Sequence, residues 1–147
     1  MKKHYHRLVA VCIVFILALG VFPNAVSAST QASDYISWYS AGLSQGSSNG
    51  QLTLSYNIVG TGTMDTIGVS KIVVYKADGT KYRTIYGTVS NGLLEQNTFS
   101  ALGVYHFTVA TGYSYYCKVT FYSGKDGGYD TRTVTTRTVA APVVPVP

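Results

Sequence analysis

From Tyr115 the chain alternates strictly, with Tyr115, Cys117, Val119 and Phe121 on one face and Tyr116, Lys118, Thr120 and Tyr122 on the other. A period of two predicts a half-buried β-strand. The same rhythm runs through residues 51–59, where Leu52, Leu54, Tyr56 and Ile58 share a face. Residues 34–40 predict a first strand, with Ile36 and Trp38 in phase. Residues 70–76 are apolar on both faces, which leaves their register open; we place Ile72 and Val74 inward, and so Tyr75 outward. Asp78-Gly79 is a strong hairpin signal, and residues 81–87 supply the returning partner. Residues 103–110 turn Tyr105, Phe107 and Val109 inward and His106 outward, while the threonine-rich stretch 131–139 alternates poorly, as an edge or bulged strand does. Residues 46–50, 60–68, 90–100 and 123–130 read as connections, and no helical period or internal repeat is present.

Seven short, regularly spaced strands predict an all-β fold, an antiparallel seven-stranded sandwich of two sheets; a small closed barrel is the alternative. The residues around Tyr115 sharpen this. Val109 lies six before it, Gly112 three before, and Cys117 and Val119 two and four after. That spacing resembles the corner entering strand F of fibronectin type III and immunoglobulin-like modules. The resemblance implies that the Tyr115 hydroxyl bonds back to the upstream backbone. Thr111 stands where proline is common in such modules, and Tyr56 where a tryptophan often falls. Residues 60–68 also resemble a segment of small secreted Gram-positive bacterial proteins of unknown function, a likeness that carries no activity.

The N-terminus sets the expected address. Lys2, Lys3 and Arg7 precede an apolar run over residues 8–22, and Val26-Ser27-Ala28 supplies small side chains for cleavage. This describes a secretory signal peptide spanning residues 1–28. The apolar run is shorter than the roughly 20 residues needed to cross a bilayer. Val11 before Cys12 argues against lipidation. Residues 29–139 then form one β-sandwich domain, and 140–147, with three of the four prolines, should leave it as an extended tail. The expected product is extracellular, monomeric and free of the membrane.

Cleavage changes the charge. Of eleven basic residues three leave with the leader, so eight face six acids and the net charge falls from +5 to +2. Those charges are scattered, and no basic stripe points to nucleic acid. Cys12 leaves too, so Cys117 has no intrachain partner, and on an apolar face it reads as a small buried hydrophobe.

Catalytic groups are scarce. His106 and Glu95 are the only histidine and glutamate beyond the leader. A metal site needs three or four ligands and a nucleophile needs a base beside it; neither constellation is marked. Gly60-Thr61-Gly62 lacks the third glycine and the helix of a nucleotide-binding turn. Asp65, Asp126 and Asp130 would bind calcium only if the loops carrying them converged, and acidic turns are otherwise simply solvated. No enzyme activity, cofactor or metal is therefore expected.

What remains is tyrosine, twelve after Tyr5 is removed. Tyr75, Tyr116 and Tyr122 with Lys118 should share an outward sheet face, a candidate contact surface for an extracellular protein or a glycan. Strands also favour tyrosine for its own sake. The expected function is a secreted, non-enzymatic binding or spacer module. The alternatives are a self-associating matrix component, a small hydrolase using His106 and the aspartates, or binding through loops around Met64, Asp65 and Asp126. Tyr115 and Cys117 carry structural roles.

Overall fold

The computed structural model describes residues 33–144. The expected leader lies outside them. Seven strands form, and every pairing is antiparallel: β1 (Ile36–Gln45), β2 (Gln51–Lys76), β3 (Lys81–Tyr86), β4 (Leu94–Thr108), β5 (Ser114–Lys125), β6 (Gly128–Thr135) and β7 (Val139–Ala140). They belong to one sheet, with no helix among the described residues.

The axis of the sheet is β2, 26 residues long. β4 and then β3 run back along one of its edges, while β1 and then β5 take the other. Residues 60–68, expected to be a connection, are therefore strand. The chain bends there instead of looping. Against β4 the register steps from Val59↔Ser100 to Met64↔Thr98, leaving three surplus residues on β2 as a wide bulge. A second irregularity leaves Ser70 unpaired between Val69↔Phe121 and Lys71↔Thr120. It switches the inward parity from Ile67 and Val69 to Ile72 and Val74, all fully buried. The inward placement of Ile72 and Val74 holds, and Tyr75 faces out.

Bulges explain the other departures from the expected pattern. β1 is irregular between Ile36 and Trp38, so Ile36 is buried while Trp38 is half exposed, contrary to their expected common face. Tyr39, Ala41 and Leu43 point inward instead. Residues 94–100, expected to be a polar connection, pair with the bend of β2 as the first part of β4. Residues 123–130 are no long loop either. Asp126 and Gly127 both take positive φ (52° and 82°), and Lys125 pairs with Gly128 across a two-residue turn.

The threonine-rich stretch breaks in two because Thr136 turns inward, its hydroxyl accepting the Cys117 N–H at 3.0 Å. The expected tail stays attached as far as Val144: Ala140 is in β7, the Ala141 N–H bonds the Tyr113 carbonyl, and the Pro142 carbonyl accepts from Gly50.

Leu52, Leu54, Tyr56 and Ile58 of β2 and Tyr115, Cys117, Val119 and Phe121 of β5 join a single core. To bury both rows the sheet curls into a half-barrel and β1 reaches β5, β6 and β7. The Tyr39 ring meets Phe121 at 5.7 Å. No disulfide braces this core, because Cys117 is free. Each fully buried aliphatic or aromatic side chain contributes about 1.5–3 kcal/mol, and burial carries the fold.

Candidate binding face

The outward face of β5 follows from its inward one. Tyr115, Cys117, Val119 and Phe121 are wholly buried, so Tyr116, Lys118, Thr120 and Tyr122 must point away from the core. Pairing with β2 sets Tyr75 opposite Tyr116 and Val73 opposite Lys118. The Tyr75 and Tyr116 rings stack with centroids 5.3 Å apart and planes 11° from parallel. Lys118 Nζ lies 5.5 Å from the Tyr75 centroid, within range of a cation–π contact. Three of the four expected residues thus form one cluster.

Tyr122 does not join it. Six residues of extended chain separate it from Tyr116, roughly 20 Å along the strand. Its ring stacks instead on Tyr129 of β6, 5.5 Å away and 23° from parallel. Tyr129 was missed in the sequence, although its signal was present: once Asp126-Gly127 is taken as a two-residue turn, Tyr129 must pair with Gly124, diagonal to Tyr122.

Hydroxyls fill the space between the two stacks. Thr120 and Thr133 bond through their Oγ1 atoms at 3.2 Å, and Thr131, Thr133 and Thr135 share the exposed side of β6. Lys71 sits opposite Thr120, on the same face as Lys118. None of the positions that these registers place outward on β2, β5 and β6 is an aspartate or glutamate. Asp78 lies in the β2–β3 turn, where the Thr80 N–H and hydroxyl hold its carboxyl below the ordinary value.

The aspartates considered for calcium come together only in part. Asp65 Oδ2 accepts the Asp126 N–H at 2.9 Å, whereas Asp130 bonds Ser33 and pairs with Arg132 at 3.3 Å. Among the described residues no three His, Cys, Asp or Glu side chains are grouped to hold a metal ion. His106 is outward on β4, its Nδ1 3.0 Å from Thr53 Oγ1, near the start of β2 and not at the bend that carries Asp65. Met64, named with Asp65 and Asp126 as a loop contact, is buried in the core and is not on offer to a ligand.

Beneath the face, Tyr115 and Cys117 anchor β5. The Tyr115 hydroxyl donates to the Ala110 carbonyl, and the Tyr82 ring meets it edge-on at 5.3 Å. Burial pushes the Tyr115 phenol up, helped by Tyr82 and Tyr113. Burial also pushes the Cys117 thiol up to about 12, with Arg83 opposing.

Comparison of the chain with protein-family models, curated proteins and solved structures found no match.

Proposed function

We propose that the protein is a secreted, non-enzymatic binding module of the fibronectin type III or immunoglobulin-like kind, which engages an extracellular protein or glycan through the outward face of β2, β5 and β6. The sandwich reading is supported by how β2 shares its partners. Its N-terminal part pairs with β1 and its C-terminal part with β3 and β5, β4 follows it past the bend as far as Gly68, and side chains from both parts join one core. The Tyr115–Ala110 hydrogen bond is the one expected at a tyrosine corner.

The observation that carries the binding role is the Tyr75–Tyr116 stack with Lys118 beside it. Aromatic side chains held on a rigid sheet lose little entropy on contact, so a few can dominate a binding energy. The test is retention of cell-surface extracts and arrayed glycans by the protein and by its Tyr116→Ala and Tyr129→Ala variants, with folding checked by circular dichroism. Loss of retention in folded variants supports the face; indifference of every captured ligand to both substitutions rejects it. N-terminal sequencing of exported material should begin at Ser29, and an intact leader would reject the address.

A self-associating role has its own support. Phe99, Leu102 and Val104 on the edge strand β4 are 60%, 69% and 58% exposed. Apolar side chains along an open edge invite a second strand. A mass that rises with concentration in sedimentation equilibrium would favour that reading over a monomer.

A further inference from the structure

We infer that the ligand of the tyrosine face is a linear, negatively charged polysaccharide lying along β5. This rests on the reading of that face as the binding surface and specifies its ligand. Three features of the face lead to it.

The first is direction. The Tyr75–Tyr116 and Tyr122–Tyr129 stacks stand at the two ends of one strand, roughly 20 Å apart. A ligand touching both must be long and must follow the strand. A monosaccharide or other small molecule reaches only one stack.

The second is chemistry. The core of a protein–protein contact is depleted in charged groups, lysine among them, and well packed. This face has a different make-up. Val73 is its one aliphatic side chain on β2 between Lys71 and Tyr75, and it is only partly exposed. Between the stacks lie threonine hydroxyls and the two ammonium groups of Lys71 and Lys118. Offset tyrosine pairs leave part of each ring free to pack on the apolar side of a sugar ring, while hydroxyls and ammonium groups meet its oxygens.

The third is charge. Lys71 and Lys118 are neighbours across the β2–β5 ladder, and no carboxylate shares their face. Aspartates lie instead in the Asp78 turn and at the bend of β2, where Asp65 accepts the Asp126 N–H. A neutral glycan would leave these two cations without a counter-charge, and an acidic chain supplies one. Lysine presents a point charge that accepts carboxylate or sulfate alike.

The experiment is isothermal titration of the folded protein with polygalacturonate, alginate and chondroitin sulfate, each as polymer and as size-fractionated oligomers, alongside carboxyl-reduced polygalacturonate. At least one charged polymer should bind and weaken with added salt, and the reduced polymer should bind at least about tenfold less tightly, the worth of roughly one charge-assisted hydrogen bond. Lys118→Gln should reproduce that loss. Tyr129→Ala should weaken long oligomers but leave those too short to span the stacks unchanged, a pattern that general destabilisation would not produce. Equal binding of the reduced polymer, or no binding by any charged polymer, overturns the inference. The face itself would still stand if a cell-surface ligand depends on Tyr116 or Tyr129, and would fall with it if every captured ligand is indifferent to both Tyr116→Ala and Tyr129→Ala.

Discussion

The hydroxyl of Tyr115 donates a 2.9 Å hydrogen bond to the carbonyl of Ala110, five residues upstream. The bond ties the start of β5 to the segment that follows β4 and holds the corner between them. Tyr115 is otherwise wholly buried, so its loss leaves the carbonyl without that donor. Tyr115→Phe should cost about 1–2 kcal/mol in denaturant melts. Tyr116→Phe, one residue on but facing out, should cost little. Equal sensitivity at both positions would contradict the alternation of β5.

Cys117 should be slow to react with thiol reagents in the native protein, because its thiol is buried and pushed up to about 12. The same shift makes stability depend on pH. Below the ordinary thiol value of 9.0 both states keep the proton and nothing changes. Between 9.0 and about 12 the unfolded chain ionises while the folded one does not, so the contribution is lost as pH rises. The slope is roughly 1.4 kcal/mol per pH unit. Tyr56 and Tyr115, both raised above 10.0 by burial, add to the loss at higher pH. Cys117→Ala should flatten the first part of this fall in melts run across alkaline pH, and an unchanged slope would refute the assignment.

Thr136 is a buried polar residue with a defined task. Its Oγ1 accepts the Cys117 N–H at 3.0 Å, while its own N–H donates to the Cys117 carbonyl at 2.9 Å. Thr136→Val keeps the shape and removes the acceptor. A buried amide left without a partner costs about 1–3 kcal/mol, and the midpoint of urea unfolding should fall accordingly.

Gly87 admits no side chain. A Cβ there would lie 1.7 Å from the Val69 carbonyl oxygen, which belongs to the backbone of the long strand. The Gly87 N–H also bonds the Ser70 carbonyl, which fixes it against the second bulge of β2. Gly87→Ala should therefore give little soluble protein or a large drop in Tm, whereas Gly92→Ala, with open space around its Cβ, should be limited to the strain of its positive φ of 75°.

Where one residue of β2 or β5 simply alternates with the next, the sequence was enough to orient it. Leu52 to Ile58 and Tyr115 to Phe121 face inward as their period demands. Bulges defeated the reading elsewhere. A surplus residue has no signature in a period of two, so the pattern sets Trp38 in phase with Ile36 and reads residues 60–68 as a connection. Glycines that read as loop-formers instead let a continuous strand bend. The candidate face was legible as far as a single strand reaches, which gave Tyr116, Lys118 and Tyr122. Joining Tyr75 to them required the register of β2, which the bulge at Ser70 decides. Finding Tyr129 required the tight turn at Asp126-Gly127. The curl of the sheet came from neither, because it depends on β1 crossing to β5 to cover the core.

The geometry of the face can be measured without a ligand. Tyr75 and Tyr116 are a directly opposed cross-strand pair whose rings stack, and such pairs are worth about 0.5–1.5 kcal/mol beyond the area they bury. A double-mutant cycle with Tyr75→Ala and Tyr116→Ala should return a coupling of that size. The Tyr122 and Tyr129 cycle should do the same, since those rings also stack. Tyr116 and Tyr122 share a strand and a face but lie roughly 20 Å apart, so their effects should add within about 0.3–0.5 kcal/mol. This cross-comparison separates two clusters from one continuous patch. Strong coupling between Tyr116 and Tyr122 would mean that the rings lean together, and the two-ended footprint of the face would be lost. Additivity there, with coupling inside each stack, leaves two anchors held at a fixed spacing by one strand.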